Sequence, residues 1–317
     1  MFAVLGSGFG LYGYLPALVD GCAQTVVLPE RYRTSFEQRR ELSRFSKSVR
    51  WEESEQAALE RAHGIVIAKR PSDQSEWIPR CLARPNLERL VLEKPLASSP
   101  EAAAATLALL IRSRRMFRIA YTFRYTWWGQ RLLHAFSPAP TSGSLFIRWD
   151  FLSHHSRHGL NTWKRFVSMG GGVIRFYGIH IIALLAELGY RDVRRSEAFG
   201  RAEDELDRWT AVFEGAGIPD CEVAVDSTSA VGTFQVGLSS DPSLHPDTRS
   251  FAALIDPFDR DSGSSDPDGI DRRVPVLSRL CLSLWDDRSS EPSVHEIYEA
   301  AGSLWRRTEE VTRFRGR

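Results

Sequence analysis

Four glycines, at positions 6, 8, 10 and 13, directly follow the apolar run Phe2-Ala3-Val4-Leu5 and precede a second one, Leu15-Pro16-Ala17-Leu18-Val19. Set between a strand and a helix, such glycines leave backbone N–H groups bare at a helix N-terminus, where the dipole also favours an anion. The chemistry this serves is the binding of a dinucleotide pyrophosphate. Gly6 permits the tight turn, Gly8 allows close backbone approach, and Phe9 and Gly10 belong to the same expected contact surface. The spacing is irregular. Counted from Gly6, G-x-G-x-x-G puts Leu11 in the third glycine position; counted from Gly8, it fits Gly8, Gly10 and Gly13. About 20 residues on, Glu30 follows a second apolar strand, Thr25-Val26-Val27-Leu28, where a ribose 2′-hydroxyl would be held. Arg31 and Arg33 beside it would instead meet a 2′-phosphate, so NAD and NADP both stay open.

Other groupings carry less. His154, His155 and His158 fall within five positions, but no cysteine or carboxylate joins them at a ligand spacing, so no metal is expected. That loop reads as donors for a polyhydroxylated or anionic substrate, or as solvated surface. The Asp-, Gly- and Ser-rich stretch 256–273 lacks the residue order of a calcium loop and reads as a surface loop. The four cysteines are scattered, which suits reduced thiols of a cytoplasmic protein. Forty-one basic against 40 acidic side chains give no bias toward nucleic acid or membrane. No apolar run reaches the roughly 18–20 residues of a spanning helix, and Met1 leads straight into the first strand without a leader.

The elements that must position these residues alternate. Strands are expected at 2–5, 25–28, 48–51, 64–68, 87–92 and 118–121, with helices after the glycines, over 52–62 and from Pro100 to about Ile111. Such alternation argues for an α/β chain with a doubly wound parallel sheet, whose ligands sit at the carboxyl ends of the strands. The polar residues Lys69–Gln74 fall at such an end. From 193 to 286 the pattern changes to short β-like runs at 209–214, 221–226, 228–237, 250–255 and 280–285, and 294–314 reads as a closing amphipathic helix.

Four landmarks in order carry a resemblance: the glycine turn, Glu93-Lys94-Pro95, Phe123-Arg124, and Gly170-Gly171-Gly172 followed by His180. With them the chain resembles the glucose–fructose oxidoreductase / inositol dehydrogenase (Gfo/Idh/MocA) family over about its first 185 residues. The resemblance implies a Rossmann dinucleotide-binding domain over 1–122. It also implies an α+β substrate-binding and oligomerisation domain over 123–317, built on a large, open, mostly antiparallel sheet. It further implies NAD or NADP as cofactor, a sugar, sugar derivative or polyol as substrate, and a homodimer or homotetramer. By resemblance, Lys94 lies beside the nicotinamide and the reacting oxygen, with Glu93 at the cofactor and Pro95 in cis. Arg124 would then touch substrate or cofactor, Tyr121 would form a cleft wall, and Lys164, after Asn161-Thr162-Trp163, would touch substrate. Trp127 and Trp128 read as packing at the domain junction.

The sequence also departs from the family's pattern. The helix after the glycine triplet usually bears Asp and His four residues apart, on one face. Here His180 keeps its place, the aspartate position is Phe176, and the acidic position three after the histidine is Ala183. A histidine frequent after the 64–68 strand is Gln74. Three readings follow. Lys94 and His180 act alone, with Tyr177 as an aid; or a different reaction occurs on a substrate whose polar group meets Arg175; or catalysis is lost and the chain binds a ligand or partner.

Overall fold

Strands β1 (Phe2–Leu5), β2 (Val26–Pro29) and β4 (Gly64–Ile67) are buried at every position. Continuous apolar strands of this kind need cover on both faces, which is the condition of a parallel sheet flanked by helices. With β3 (Val49–Glu52), β5 (Arg89–Leu92) and β6 (Met116–Ile119) they form a six-stranded sheet in the order β3-β2-β1-β4-β5-β6, parallel throughout. The connecting helices are α1 (Leu15–Gly21), α2 (Arg33–Glu37), α3 (Glu55–Arg61), α4 (Pro71–Leu82) and α5 (Pro100–Arg112). Strand order reverses between β1 and β4, and the carboxyl ends there are the ligand crevice of such sheets.

The computed structural model describes residues 1–23, 25–137, 140–239, 250–259, 269–285 and 293–316, so part of the acidic stretch 256–273 lies outside the described residues. The chain divides into two units: Met1–Ala97 with Ala105–Tyr125 and Ser262–Ser290, and Ser98–Ala104 with Thr126–Asp261 and Glu291–Arg317. The first therefore takes back a late segment that the sequence division at 122/123 assigned to the second. The reason is helix α9 (Val274–Leu282), expected in part as a strand at 280–285. Its residues 274, 276, 277, 280 and 281 are buried at helical spacing, and it packs on α1.

The second unit holds a seven-stranded sheet in the order β12-β11-β7-β10-β9-β8-β13. Its strands are β7 (Ser144–Leu152), β8 (Asp192–Ala202), β9 (Glu205–Glu214), β10 (Cys221–Asp226), β11 (Thr228–Ser239), β12 (Ser250–Leu254) and β13 (Thr312–Gly316). Four neighbouring pairs are antiparallel; β7/β10 and β8/β13 are parallel. Along β7 and β10 buried and more exposed residues alternate, so one face meets the core. Helices α6 (Trp127–Ala135), α7 (His154–Arg157), α8 (Ile179–Leu188) and α10 (Val294–Val311) complete the unit, with α10 lying on α8 and on β8. A capping box starts α10: Ser293 Oγ accepts from the Glu296 N–H at 3.3 Å, and Glu296 accepts from the Ser293 N–H at 2.6 Å. The expected closing helix stops at Val311, because Thr312–Gly316 pairs with β8 instead.

Val167–Leu188, 22 residues, holds an 18-residue window of mean hydropathy 1.5, enough to cross a membrane by length and composition alone. It is not an uninterrupted apolar run, since Arg175, His180 and Glu187 fall within it. Its most apolar window is 78% buried by the protein itself, as in a core helix, which is apolar all round.

Candidate functional site

The glycine turn leaves β1 with Gly6 at φ +141°. A Cβ there would collide with the Ala68 carbonyl oxygen, so the turn admits only glycine. At Gly8 a Cβ would find nothing within 4 Å, so the backbone faces open space. Gly10 packs against β1, where an added Cβ would stand 2.9 Å from Val4 Cγ1. A π-helical turn, Gly10–Tyr14, then runs directly into α1. Leu11, in the position of a third glycine, is fully buried. Phe9 lies over Gly13 and beneath the Arg273 guanidinium, 4.1 Å from the ring centre.

Beyond β2, the exposed Glu30 pairs with Arg33, whose hydrogen bond holds the carboxyl below the usual range. Arg33 also lies over the Trp51 ring at 4.5 Å. Arg31 pairs with Glu55 at the start of α3. Glu55 further accepts from Tyr32 Oη at 2.7 Å and from Lys69 Nζ at 2.9 Å. Burial would raise this carboxyl, but the hydrogen bonds from Lys69 and Tyr32 outweigh it and keep it low. Tyr32 Oη in turn accepts the Gly6 N–H at 3.1 Å, and burial pushes its phenol up to about 12. Lys69, Tyr32 and Glu55 thus join the expected cofactor residues. Only Lys69 had a signal, as a polar residue just past a buried strand.

Lys94 stands half-buried after β5, and the Lys94-Pro95 bond is cis. The turn is clamped by Gln74, fully buried on α4. Its amide donates to the carbonyls of Glu93 (2.8 Å), Leu96 (3.1 Å) and Pro95 (3.4 Å) and accepts the Glu93 N–H at 2.8 Å. An amide both donates and accepts, so it satisfies this reversal of the chain within one side chain. Tyr14 Oη donates to Glu93 Oε1 at 2.6 Å, and Glu93 Oε2 accepts the Lys94 N–H at 3.2 Å. Burial, then the Glu93 charge, hold the Tyr14 phenol well above its ordinary range, so it stays a donor. The glycine segment and the Lys94 turn are therefore joined through Tyr14 and Glu93. Tyr121, just past β6, is buried with its phenol raised by that burial; Arg124 lies 5.3 Å from the Tyr125 ring centre.

Lys164, Arg175, Tyr177 and His180 belong to the second unit. Gly171 presses on the backbone of Trp163 and Lys164, where a Cβ would overlap main-chain atoms, and Gly172 follows with φ +73°. The next six residues, Val173–Gly178, form a second π-helical turn before α8. The four-residue Asp/His spacing assumed a plain α-helix; an i→i+5 turn changes which side chains share a face. Phe176 meets Trp163 edge-on at 5.3 Å and Tyr177 at 4.8 Å, and Lys164 Nζ lies 5.2 Å from its ring centre. Tyr177 is further surrounded by Phe151 at 4.7 Å and Trp149 at 5.7 Å. His180 is buried, with its ring 6.5 Å from Phe258.

Arg175 was expected to meet substrate, but its donors are taken inside the unit. It forms two bonds to Glu309 (2.7 and 2.6 Å) and bonds to the carbonyls of Val167 (2.9 Å) and Ser98. It is a brace between the π turn and α10. His155, buried on α7, is pushed down to about 4 by burial and then by the charges of Lys164 and Arg165. Among the described residues, no three His, Cys, Asp or Glu side chains converge as a metal site would require.

No family model and no curated protein matches the chain. Solved structures do. A 3-ketoreductase, KijD10 from Actinomadura kijaniata, in complex with NADP and TDP-benzene, superposes with TM-score 0.69 over 100% of this chain and 98% of its own at 12% identity. GenD2 from gentamicin A biosynthesis, in complex with NAD, gives TM-score 0.68 over 98% and 94% at 17% identity. A myo-inositol dehydrogenase from Corynebacterium glutamicum gives 0.67 over 98% and 96% at 13% identity. The parallel six-stranded unit, the mixed seven-stranded unit and these superpositions agree: the chain has the Gfo/Idh/MocA fold.

Proposed function

We propose that the chain is an NAD(P)-dependent oxidoreductase that acts on a CH–OH carbon of a sugar, sugar derivative or polyol. The observation that carries this reading is the open backbone at Gly8 tied, through Tyr14 and Glu93, to the clamped cis turn bearing Lys94. The residues present fit a dinucleotide. Gly8 offers a cradle that a side chain would fill, and the N–H groups from Phe9 onward begin a helical segment whose dipole favours phosphate. Gly6, Gly8, Phe9 and Gly10 would hold the pyrophosphate. Glu30, with Arg31 and Arg33, would meet the adenosine ribose, and Glu93 would fix the Lys94 turn beside the nicotinamide. Bound NAD(P) supplies the site of hydride exchange. Lys94 would give or take the hydroxyl proton and, as a cation, stabilise developing alkoxide charge. His180, Tyr177, Lys164, Arg124 and Tyr121 would orient the substrate's other hydroxyls. Structural neighbours solved with NAD or with NADP support the cofactor class at the level of fold.

One observation favours a second reading, in which the chain binds without turning over. Phe176, with Trp163 and Tyr177 against it, fills the place expected of a carboxylate, so no acid orients His180 from that position. Titration with NADH and NADPH, read by nucleotide fluorescence, followed by assays on a polyol and sugar panel, separates the two. Absence of binding at millimolar nucleotide sinks the enzyme reading. With binding intact, Lys94→Ala is expected to cut turnover at least about 100-fold; unchanged turnover removes Lys94 from the role.

A further inference from the structure

Helix α9 comes to the glycine turn from the far end of the sequence. Ser278 donates its hydroxyl to the Ala17 carbonyl at 3.1 Å, and an added Cβ at Gly21 would stand 3.4 Å from Ser278 Cβ. Five residues before Ser278, Arg273 lies over Phe9 and Tyr12, its guanidinium 4.1 Å and 6.0 Å from the two ring centres. So α1 and α9 run side by side in the same direction, with their N-terminal ends together at the glycine turn. Asp271 fixes the guanidinium there. Its Oδ1 accepts from Arg273 Nε at 2.8 Å and its Oδ2 from Nη2 at 2.7 Å, while Oδ1 also accepts the Arg273 N–H at 2.9 Å. Two parallel bonds hold a planar guanidinium in one orientation. They occupy the Nε–Nη2 edge, so Nη1 projects from the opposite side. The Arg273 side chain keeps 34% of its surface exposed, enough for a bound molecule to reach it. A cation is misplaced beside a helix N-terminus, where the dipole favours an anion, and Asp271 compensates it from one edge alone.

We propose that Arg273 is a nucleotide-binding residue, whose Nη1 edge takes an oxygen of the dinucleotide pyrophosphate at the glycine turn while Asp271 orients it. The inference rests on the dinucleotide reading of that turn and adds to it a contact from the late segment 271–273. Arginine suits the task, because its fork meets phosphate oxygens and it stays charged at any working pH. The phosphate supplies the anion that the paired helix N-termini favour, and the Phe9 ring beneath the guanidinium keeps the cation in place.

The test titrates the full chain with NADH, read by nucleotide fluorescence, and with ADP-ribose, read by displacement of NADH. ADP-ribose has the same pyrophosphate and no nicotinamide. Arg273→Gln is expected to weaken both at least about tenfold. Arg273→Met, which keeps the side chain's stem on the Phe9 ring, takes its place if the glutamine variant does not fold. NADH affinity should also fall more steeply with added salt in wild type than in the variant. Unchanged affinity for both ligands, whatever the variant's melting midpoint, overturns the proposal and leaves Arg273 a structural brace. A loss confined to NADH overturns it as well, since the guanidinium would then serve the nicotinamide end. Wild type that binds neither ligand sinks the dinucleotide reading itself; wild type that binds, with the variant equal to it, sinks this contact alone.

Discussion

Among the described residues glycine-led π turns occur twice, and the two are built for opposite ends. In the first unit, Gly6 turns the chain, Gly8 faces open space, and the π turn Gly10–Tyr14 leads into α1. In the second, Gly171 lies against the backbone of Trp163 and Lys164, and the π turn Val173–Gly178 leads into α8. One segment leaves main chain facing open space; the other uses missing side chains to bring main chain and aromatic rings together. Glycine enrichment in a sequence marks close approach of a backbone, and only the surroundings decide whether a ligand or the protein itself approaches.

The largest expected effect breaks this contrast directly. Gly171→Ala should destabilise the second unit by about 3 kcal/mol, since its Cβ has backbone rather than movable side chain in its way. Gly8→Ala should leave the melting midpoint within about 1 °C and weaken nucleotide binding at least about tenfold, because the methyl enters only the cradle. Thermal melts and nucleotide titrations on both variants check this; a destabilised Gly8→Ala would remove the distinction.

Next in size is the brace that holds the closed turn. Arg175 and Glu309 are both mostly buried, with side chains 14% and 22% exposed, and Trp305 Nε1 also donates to Glu309 at 2.7 Å. Glu309→Gln leaves a buried guanidinium with a neutral partner and should cost about 2 kcal/mol. Nucleotide affinity should not change. A loss of nucleotide affinity without a loss of stability would mean that the Arg175–Glu309 pair serves a bound ligand rather than the fold.

His155 sharpens the comparison through pH. Its folded value of about 4 lies below the ordinary imidazole value of about 6.5, so between these two the unfolded chain binds more protons than the folded one. Stability from this group is full above about pH 6.5 and is lost as pH falls toward 4, about 2 kcal/mol of it by pH 5. Denaturant titrations at pH 7 and pH 5 should show the loss in wild type and a flatter profile in His155→Gln. Equal slopes would mean that the imidazole is solvated.

How much of this was legible in the sequence follows from how local the cause was. Strands β1, β2 and β4 announced themselves because a doubly covered strand is apolar at every position. The run 280–285 was ambiguous because a short apolar stretch fits strand or helix, and the contact of α9 with α1 decided it. Thr312–Gly316 became a strand only because β8, whose own apolar alternation is interrupted by Arg194 and Arg195, offered a free edge. The Lys94 turn was visible as a motif, but its clamp was not. Gln74 read as a departure until its amide was seen to satisfy four backbone groups. Neither π turn was foreseeable from a 3.6-residue period.

The smallest effect concerns Phe176 and Lys164, and it addresses what replaced the missing acid. An ammonium 5.2 Å from a ring centre is attracted by the ring's negative face, by about 0.5–1 kcal/mol where water reaches it. A double-mutant cycle of Phe176→Leu and Lys164→Met, measured by denaturant unfolding, should return a coupling of that size. Phe176→Asp instead gives the same ammonium a carboxylate, which would be stronger in attraction but would have to be desolvated among Trp163 and Tyr177. That variant is therefore expected to be less stable than wild type while turning over faster. If it is more stable, the aromatic cluster is wetter than its ring contacts imply, and the closed turn of the second unit is nearer to the open one of the first.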